Sequence, residues 1–350
     1  MAHRRALAAA ALAAVTALVV SAVPAQAAAP TYVALGDSYS SGVGTRSYIV
    51  DGSTCLRSVY AFPSLIASAR GYALNFRACS GAKVPDVTNT QLSALTASTN
   101  YVTISIGGND AGFVDVLTTC AQPSWLSNCN GAIDKAESYI RTTLPGTLSA
   151  LYAQIRARSP QAKVTVVGYP RIFNGTDCNL LTWFSGSEMS RLNATADLIN
   201  SVTSGRASAA GFSFANPTSR FVGHAVCDNP EYLNGLSNPI VESFHPNKLG
   251  HSSGYTPVVS PLVTGATVTA SPALMTKAAG SSARLADQQR AYAPVDRSIR
   301  PEVFVAPDLT TPEAKAAAAR AGVDLSSRAS IDAADRRYAA AQAREFLARR

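Results

Sequence analysis

Four short blocks of residues that can do chemistry occur in one order along this chain. They are Gly-Asp-Ser-Tyr-Ser-Ser-Gly at residues 36–42, Ala-Cys-Ser-Gly-Ala at 78–82, Gly-Gly-Asn-Asp at 107–110 and Phe-His-Pro-Asn at 244–247. They supply a hydroxyl, an imidazole and several hydrogen-bond donors. Acyl transfer by a serine needs this set, because the hydroxyl attacks, a base takes its proton and donors bind the developing oxyanion. The blocks therefore indicate serine-hydrolase chemistry.

Each block has a simpler interpretation when it is taken alone. A serine after a strand is a common helix N-cap, and Gly, Asn and Asp dominate ordinary turns. A histidine followed by proline, as in His245-Pro246, also suits a structural loop. The four blocks in order favour Ser38 as nucleophile and His245 as general base. The sequence around Ser38 differs from the Gly-x-Ser-x-Gly turn of the α/β-hydrolases.

Strand-like and helix-like segments alternate between the blocks. Strand-like runs occur at residues 32–35, 74–78, 102–106, 164–167 and 212–214. Helical periodicity occurs at residues 58–70, at 133–158 with a break at Pro145-Gly146, and at 187–209 after a Ser185-x-x-Glu188 capping box. Such alternation predicts a three-layer α/β fold with a central parallel sheet of about five strands. Ser38 and Asn109 then meet at the carboxyl edge of the sheet, where such folds bind ligands.

Together the blocks resemble the SGNH (GDSL-type) hydrolases, and within them the small secreted lipases and esterases of actinobacteria. The resemblance spans roughly residues 30–262 and implies the flavodoxin-like SGNH-hydrolase fold. The residues that name the family correspond to Ser38, Gly81, Asn109 and His245. The resemblance implies an oxyanion hole formed by Ser38, Gly81 and Asn109.

The sequence leaves open which group orients His245. Family members usually carry an aspartate three residues before the histidine, and this chain has Glu242 there. The family also includes Ser-His dyads, in which a main-chain carbonyl replaces the acid. We therefore predict a contact to His245 either from the Glu242 carboxylate or from the main-chain carbonyl of Glu242 or Ser243.

Residues 1–27 have the pattern of a secretory signal peptide. Arg4 and Arg5 precede an apolar run at residues 6–20, and Ala25-Gln26-Ala27 fits a cleavage site. The six cysteines all follow this segment, and an even number in an exported chain favours disulfides. Spacing alone allows several pairings, whereas the family resemblance implies sequential pairing. The implied bridges are Cys55–Cys79, Cys120–Cys129 and Cys178–Cys227.

The composition changes after Val263, so we predict a hydrolase domain at residues 28–263 and an Ala/Arg-rich appendage at 264–350. The appendage contains several prolines and few large apolar residues, which predicts a partly helical or disordered segment that buries little surface. Helices are predicted from Pro312 and over residues 331–347. A chain ending near residue 265 is therefore expected to fold.

The net charge of +8 comes from 30 basic and 22 acidic residues that are scattered along the chain. The scattering argues against nucleic-acid binding, although a basic protein can contact anionic lipid interfaces transiently. The sequence shows no Cys-x-x-Cys pair, and we expect neither a metal nor another cofactor. We expect a monomer.

The family resemblance implies a secreted carboxylic-ester hydrolase, a lipase or esterase that acts through an acyl-enzyme on fatty-acyl esters or phospholipids. One alternative is a carbohydrate esterase that removes acetyl groups from polysaccharide. A pocket lined by aliphatic side chains would favour the lipid ester, and an open, aromatic-lined groove would favour the carbohydrate. A second alternative is a non-catalytic binding protein on the same fold.

Overall fold

A computed structural model describes residues 28–349 and shows a five-stranded sheet. The predicted signal peptide lies outside the described residues. The strands are β1 (Thr31–Gly36), β2 (Ala73–Phe76), β3 (Tyr101–Ser105), β4 (Lys163–Val167) and β5 (Ser213–Ala215). All neighbours pair in parallel in the order β2-β1-β3-β4-β5. The α/β class and the parallel sheet are as predicted from the sequence.

Both faces of the sheet are buried, and successive residues of β1 show why. Tyr32 and Ala34 face one apolar cluster, whereas Val33 and Leu35 face the other. Side chains of a strand alternate between faces, so a strand that is apolar throughout must be covered on both sides. Helices cover each face, which gives the predicted three layers.

Helices of very different lengths surround the sheet in the described residues. In chain order they are α1 (Ser38–Ser41), α2 (Phe62–Arg70), α3 (Val84–Asp86), α4 (Phe113–Cys120), α5 (Cys129–Thr142), α6 (Leu144–Arg158), α7 (Gly186–Ala209), α8 (Thr218–Phe221), α9 (Thr256–Thr264), α10 (Pro272–Ala279), α11 (Ser282–Arg290), α12 (Ala293–Asp296), α13 (Pro312–Ala321) and α14 (Arg328–Ala348). No helix among residues 28–349 combines the length and the apolar character needed to span a membrane.

Two helix boundaries differ from the predictions, and prolines explain both. The helix predicted over residues 58–70 begins only at Phe62, with Pro63 in its first turn. The segment predicted as one helix with a break at Pro145-Gly146 is two helices, and the second already begins at Leu144. Proline lacks the amide hydrogen that the first helical turn leaves unpaired, so it starts a helix there and does not interrupt one. The Ser185–Glu188 capping box starts α7 as predicted.

The segment after residue 263 is helical where it was predicted to be, and it also packs closely on the sheet domain. Helix α13 begins at Pro312 with Thr311 as N-cap. Asp296 is fully buried between Arg57 and Arg77, and Phe304 lies in the main apolar cluster. The expectation that this segment buries little surface is therefore wrong. Charged groups and small alanines make these contacts together with the few large apolar side chains of the segment, such as Leu285, Ile299 and Phe304. The domain boundary at residue 263 stays a prediction.

Three disulfides join Cys55 to Cys79, Cys120 to Cys129 and Cys178 to Cys227. These are the pairs that the family resemblance implies. The first bridge ties the loop before α2 to the loop that contains Gly81, so it fixes one wall of the candidate active site.

Candidate active site

Ser38 and Asn109 stand at the carboxyl ends of two adjacent strands. Ser38 follows β1 and Asn109 follows β3, and the two strands are paired up to Gly36 and Ser105. The Asp37 side chain accepts a hydrogen bond from the Tyr39 amide and caps the short helix α1. Sheet register and this cap hold the Ser38 hydroxyl at the edge of the sheet.

Ser38 and His245 are in direct contact although 207 residues separate them. His245 Nε2 lies 2.8 Å from Ser38 Oγ, and Nδ1 lies 2.9 Å from the main-chain oxygen of Ser243. The Tyr39 hydroxyl donates to the Phe244 carbonyl at 2.8 Å and so ties the histidine loop to α1. A histidine whose Nδ1–H donates to a carbonyl presents a free Nε2 lone pair to the serine hydroxyl.

The Glu242 carboxylate points away from His245. It accepts a hydrogen bond from the Tyr48 hydroxyl, and its second oxygen lies 3.4 Å from Arg46 Nε. The Ser243 carbonyl instead takes the position of the orienting acid. Of the contacts that the sequence left open, the structure shows the one between His245 and the main-chain carbonyl of Ser243.

The blocks around Ser38 carry three hydrogen-bond donors. The Asn109 side-chain amide donates to the Ala82 carbonyl at 3.0 Å, which fixes the amide plane and leaves its second N–H for another acceptor. The main-chain amides of Ser38 and Gly81 donate to no acceptor among the described residues. Gly81 has a φ of +79°, a conformation that favours glycine. These are the donors predicted for an oxyanion hole.

Burial sets the protonation of the two ionisable groups nearest the serine. It lowers the pKa of His245 to about 4, while the hydrogen bond to Ser243 opposes the shift. Burial also raises the pKa of Asp37 to about 7, against the hydrogen bond from the Tyr169 hydroxyl at 2.6 Å. His245 is therefore neutral at neutral pH, as a general base must be.

An apolar cavity of about 50 Å³ lies beside the loops that carry Ser38 and Asn109. Tyr39 and Gly108, the neighbours of those two residues, are among its lining residues. Its walls come from α4, α5 and α7 and include Phe113, Val116, Ala136, Ile140, Leu192 and Ala196. Its surface is almost entirely apolar, so it suits a hydrocarbon group and not a sugar.

The sequence predicted Ser38 and His245, which the structure brings into contact, but it missed several neighbours. Tyr39 and Tyr169, which hold the histidine loop and Asp37, gave no motif. Contact between Gly81 and residues after Val263 was also missed. A Cβ built on Gly81 would lie 2.2 Å from the main-chain oxygen of Arg300 and 2.7 Å from the Cα of Pro301. No spacing rule could have predicted this contact, since it joins distant parts of the chain.

Comparison with known proteins gives a consistent result. The model of the GDSL-like lipase/acylhydrolase family matches residues 34–252. A lipase of Streptomyces rimosus is 44% identical over 234 residues, which cover 66% of this chain and 86% of that lipase. Lipase 1 of Streptomyces coelicolor is 45% identical over 237 residues, 67% of this chain and 87% of that protein.

Solved structures show the same similarity. The extracellular lipase of Streptomyces rimosus aligns with a TM-score of 0.62 and 41% identity, and the match covers 68% of this chain and 100% of that structure. Phospholipase A1 of Streptomyces albidoflavus aligns with the same TM-score and identity, over 66% of this chain and 98% of that structure. Roughly a third of this chain therefore has no counterpart in either structure.

Proposed function

We propose a fatty-acyl ester as the substrate of this chain, which belongs to the GDSL-like lipase/acylhydrolase family and is a serine ester hydrolase. We choose this substrate because an apolar cavity lies beside the loops that contain Ser38 and Asn109. A carbohydrate esterase would need several polar groups for a sugar, whereas the lining of this cavity is almost entirely apolar, with both aliphatic and aromatic side chains.

In the proposed mechanism Ser38 Oγ attacks the ester carbonyl while His245 Nε2 takes its proton. The negative charge moves to the carbonyl oxygen, where the amides of Ser38, Gly81 and Asn109 donate hydrogen bonds. His245 then gives the proton to the departing alcohol, leaving an acyl-enzyme. Water, activated by the same imidazole, releases the acid and restores the serine.

The same geometry supports a Ser-His dyad oriented by the main chain. A positioned carbonyl at Nδ1 selects the tautomer with the proton on that nitrogen, which is the orienting task of the acid in a triad. It adds no negative charge, which is consistent with the lowered pKa of His245. In this proposal the Glu242 carboxylate links the histidine loop to a second loop through its contacts with Arg46 and Tyr48.

Replacing Glu242 by Gln is expected to lower kcat/KM less than tenfold. The amide oxygen can still accept the hydrogen bond from Tyr48, and the Ser243 carbonyl still orients the histidine. His245→Gln, as the reference variant, should lose several orders of magnitude. Steady-state kinetics on a soluble ester compares the two. A thousandfold loss in Glu242→Gln would show that the carboxylate does the orienting after all.

The pH profile of kcat/KM should stay flat well below the usual histidine range. Because burial lowers the pKa of His245 to about 4, the neutral imidazole persists as the pH falls through 6.5, and activity declines only near pH 4. The measurement is kcat/KM between pH 3.5 and 8, with intrinsic fluorescence as a check of folding at each pH. Because Asp37 has a pKa of about 7, the profile is also recorded for Asp37→Asn, and an acid limb centred near 6.5 that persists in this variant would contradict the environment assigned to His245.

Narrowing the cavity should change the preference for the acyl group. Ala196 lines the cavity on α7, so Ala196→Phe would fill a space of about 50 Å³. We expect kcat/KM for a hexanoyl ester to fall roughly tenfold or more relative to the acetyl ester of the same alcohol. Ala209→Phe, on the exposed side of the same helix, is the matched control. An unchanged ratio would place the acyl group elsewhere.

We also propose that the enzyme works outside the cell as a monomer. The leader-like residues 1–27, the three disulfides and the similarity to an extracellular lipase support secretion. Disulfides form and persist in oxidising compartments. Secretion predicts a mature chain that begins at Ala28, and mass spectrometry of the culture medium would detect this chain.

A further inference from the structure

Tyr169 belongs to none of the four blocks, yet it lies at the same edge of the sheet. It follows the last residue of β4 by two positions, and β4 pairs in parallel with β3. The carboxyl ends of parallel strands meet at one edge, so Tyr169 comes to the edge that holds Ser38 and Asn109. Its ring packs edge-on against that of Tyr39, with 5.2 Å between the centroids. The fold therefore adds to the site a side chain that no block supplies.

The Tyr169 hydroxyl joins the first block to the third. It donates to Asp37 Oδ2 at 2.6 Å and accepts from the Gly108 amide at 3.1 Å. Asp37 directly precedes Ser38, the proposed nucleophile, and Gly108 directly precedes the proposed oxyanion donor Asn109. Burial and the nearby Asp37 carboxyl raise the pKa of Tyr169 well above its usual value. The hydroxyl therefore keeps its proton and can donate and accept at the same time.

Main-chain bonding alone leaves the spacing of the two blocks free beyond the sheet. In the described residues, the last main-chain bond between them runs from the Asp37 amide to the Ser105 carbonyl, at 3.0 Å. The third block then forms a turn in which Gly107 has a φ of +111°. Glycine adopts many backbone conformations, so the distance from Ser38 to Asn109 needs a further constraint. The hydroxyl between the two blocks supplies that constraint.

Tyr169 is itself held firmly. Asn200 of α7, which is 4% exposed, accepts from the Tyr169 amide at 2.8 Å and donates to the Tyr169 carbonyl at 2.7 Å. A Cβ built on Gly108 would lie 3.3 Å from both Cζ and the hydroxyl oxygen of Tyr169, so the glycine permits this close approach. A side chain with a fixed backbone and a close neighbour can set a distance between two loops.

We propose that Tyr169 is a positioning residue, whose hydroxyl holds the Asn109 amide at the distance from Ser38 that the oxyanion requires. This inference rests on the proposed mechanism and adds a residue to it. A donor stabilises the oxyanion only within hydrogen-bond distance, and a displacement of about 1 Å can cost on the order of a hundredfold in rate. Without the hydroxyl, the Gly108 amide and Asp37 Oδ2 lose their common partner and the two blocks can shift.

The first test is Tyr169→Phe, which removes the hydroxyl and keeps the ring that lines the apolar cavity. We expect kcat on a soluble hexanoyl ester to fall roughly 10–100-fold while KM stays within about twofold, because the donor acts mainly in the transition state. Tyr32→Phe is the matched control, since Tyr32 is fully buried and its hydroxyl lies 2.8 Å from Thr103 Oγ1 within the sheet. The control should change neither constant.

The melting temperatures of Tyr169→Phe and Tyr32→Phe show whether the two variants lose similar stability. An equal loss of kcat in both variants would overturn the inference, because the hydroxyl would then support only the fold. A rise in KM with an unchanged kcat in Tyr169→Phe would also overturn it, because the residue would then act on substrate binding.

A double-mutant cycle tests whether Tyr169 acts through Asn109. Asn109→Ala alone should lower kcat by about 10²–10³. Adding Tyr169→Phe to it should cost less than about threefold more, because an absent donor cannot be displaced. Losses that simply multiply would overturn the inference and leave the proposed mechanism intact. If Asn109→Ala alone costs less than about tenfold, the proposed oxyanion hole is wrong and the inference falls with it.

Discussion

We expect Ser38→Ala to remove nearly all ester hydrolysis, with kcat lowered by roughly a millionfold. The variant lacks the proposed nucleophile, and the hydrogen-bond donors around it cannot replace that group. Stability should change little, because the variant forfeits one hydrogen bond, to His245, worth about 1 kcal/mol. The measurement is kcat on a soluble ester together with the melting temperature.

Covalent labelling by a fluorophosphonate probe tests the same prediction. It should label the unmodified protein once, and it should not label Ser38→Ala. Ser40→Ala is the matched control, since Ser40 lies two residues away, is fully buried and has no hydrogen-bond partner for its hydroxyl among the described residues. This control should label and turn over normally. Labelling of Ser38→Ala, or loss of labelling in Ser40→Ala, would move the nucleophile away from residue 38.

The positions of Ser38 and Asn109 at the sheet edge could be predicted from sequence because local patterns specify them. An apolar run followed by Gly-Asp-Ser fixes both a strand and the residue at its carboxyl end, so β1 and Ser38 were identified together. Parallel pairing of β1 with β3 then places Asn109 beside Ser38 without further information. Both inferences use only the regular geometry of a parallel sheet.

The remaining features depend on side-chain direction or on contacts between distant segments. Spacing placed Glu242 three residues before the histidine, but only the loop conformation turns its carboxylate toward Arg46 and presents the Ser243 carbonyl instead. Burial of Asp296 likewise depends on two arginines more than 200 residues earlier. From composition alone, such a carboxylate is expected at the solvent-exposed surface. Its partners Arg57 and Arg77 are brought to it only by the fold.

Asp296→Asn should destabilise the whole protein by about 3–5 kcal/mol. The carboxylate of Asp296 lies 2.5 Å from Arg57 and 2.8 Å from Arg77, with all three side chains inaccessible. Asparagine keeps the shape and removes the charge, so Arg77 would lose its carboxylate partner and Arg57 would keep only that of Asp51. An unpaired buried charge costs more than the lost attraction alone. The melting temperature should fall by about 5–10 °C.

The same variant tests whether the C-terminal segment belongs to the folding unit. Arg57 also donates from Nε to the Ala78 carbonyl at 2.9 Å, so the network supports the loop that contains Gly81. Loss of Asp296 should therefore shift a single cooperative transition, followed by circular dichroism, and should lower kcat as well. Asp287→Asn on α11, where the carboxylate is exposed and pairs with Arg290, is the matched control and should shift neither quantity. A midpoint within about 1 °C of the unmodified protein would mean that the segment is a dispensable appendage, since a buried charge pair cannot be broken without a cost of several kcal/mol.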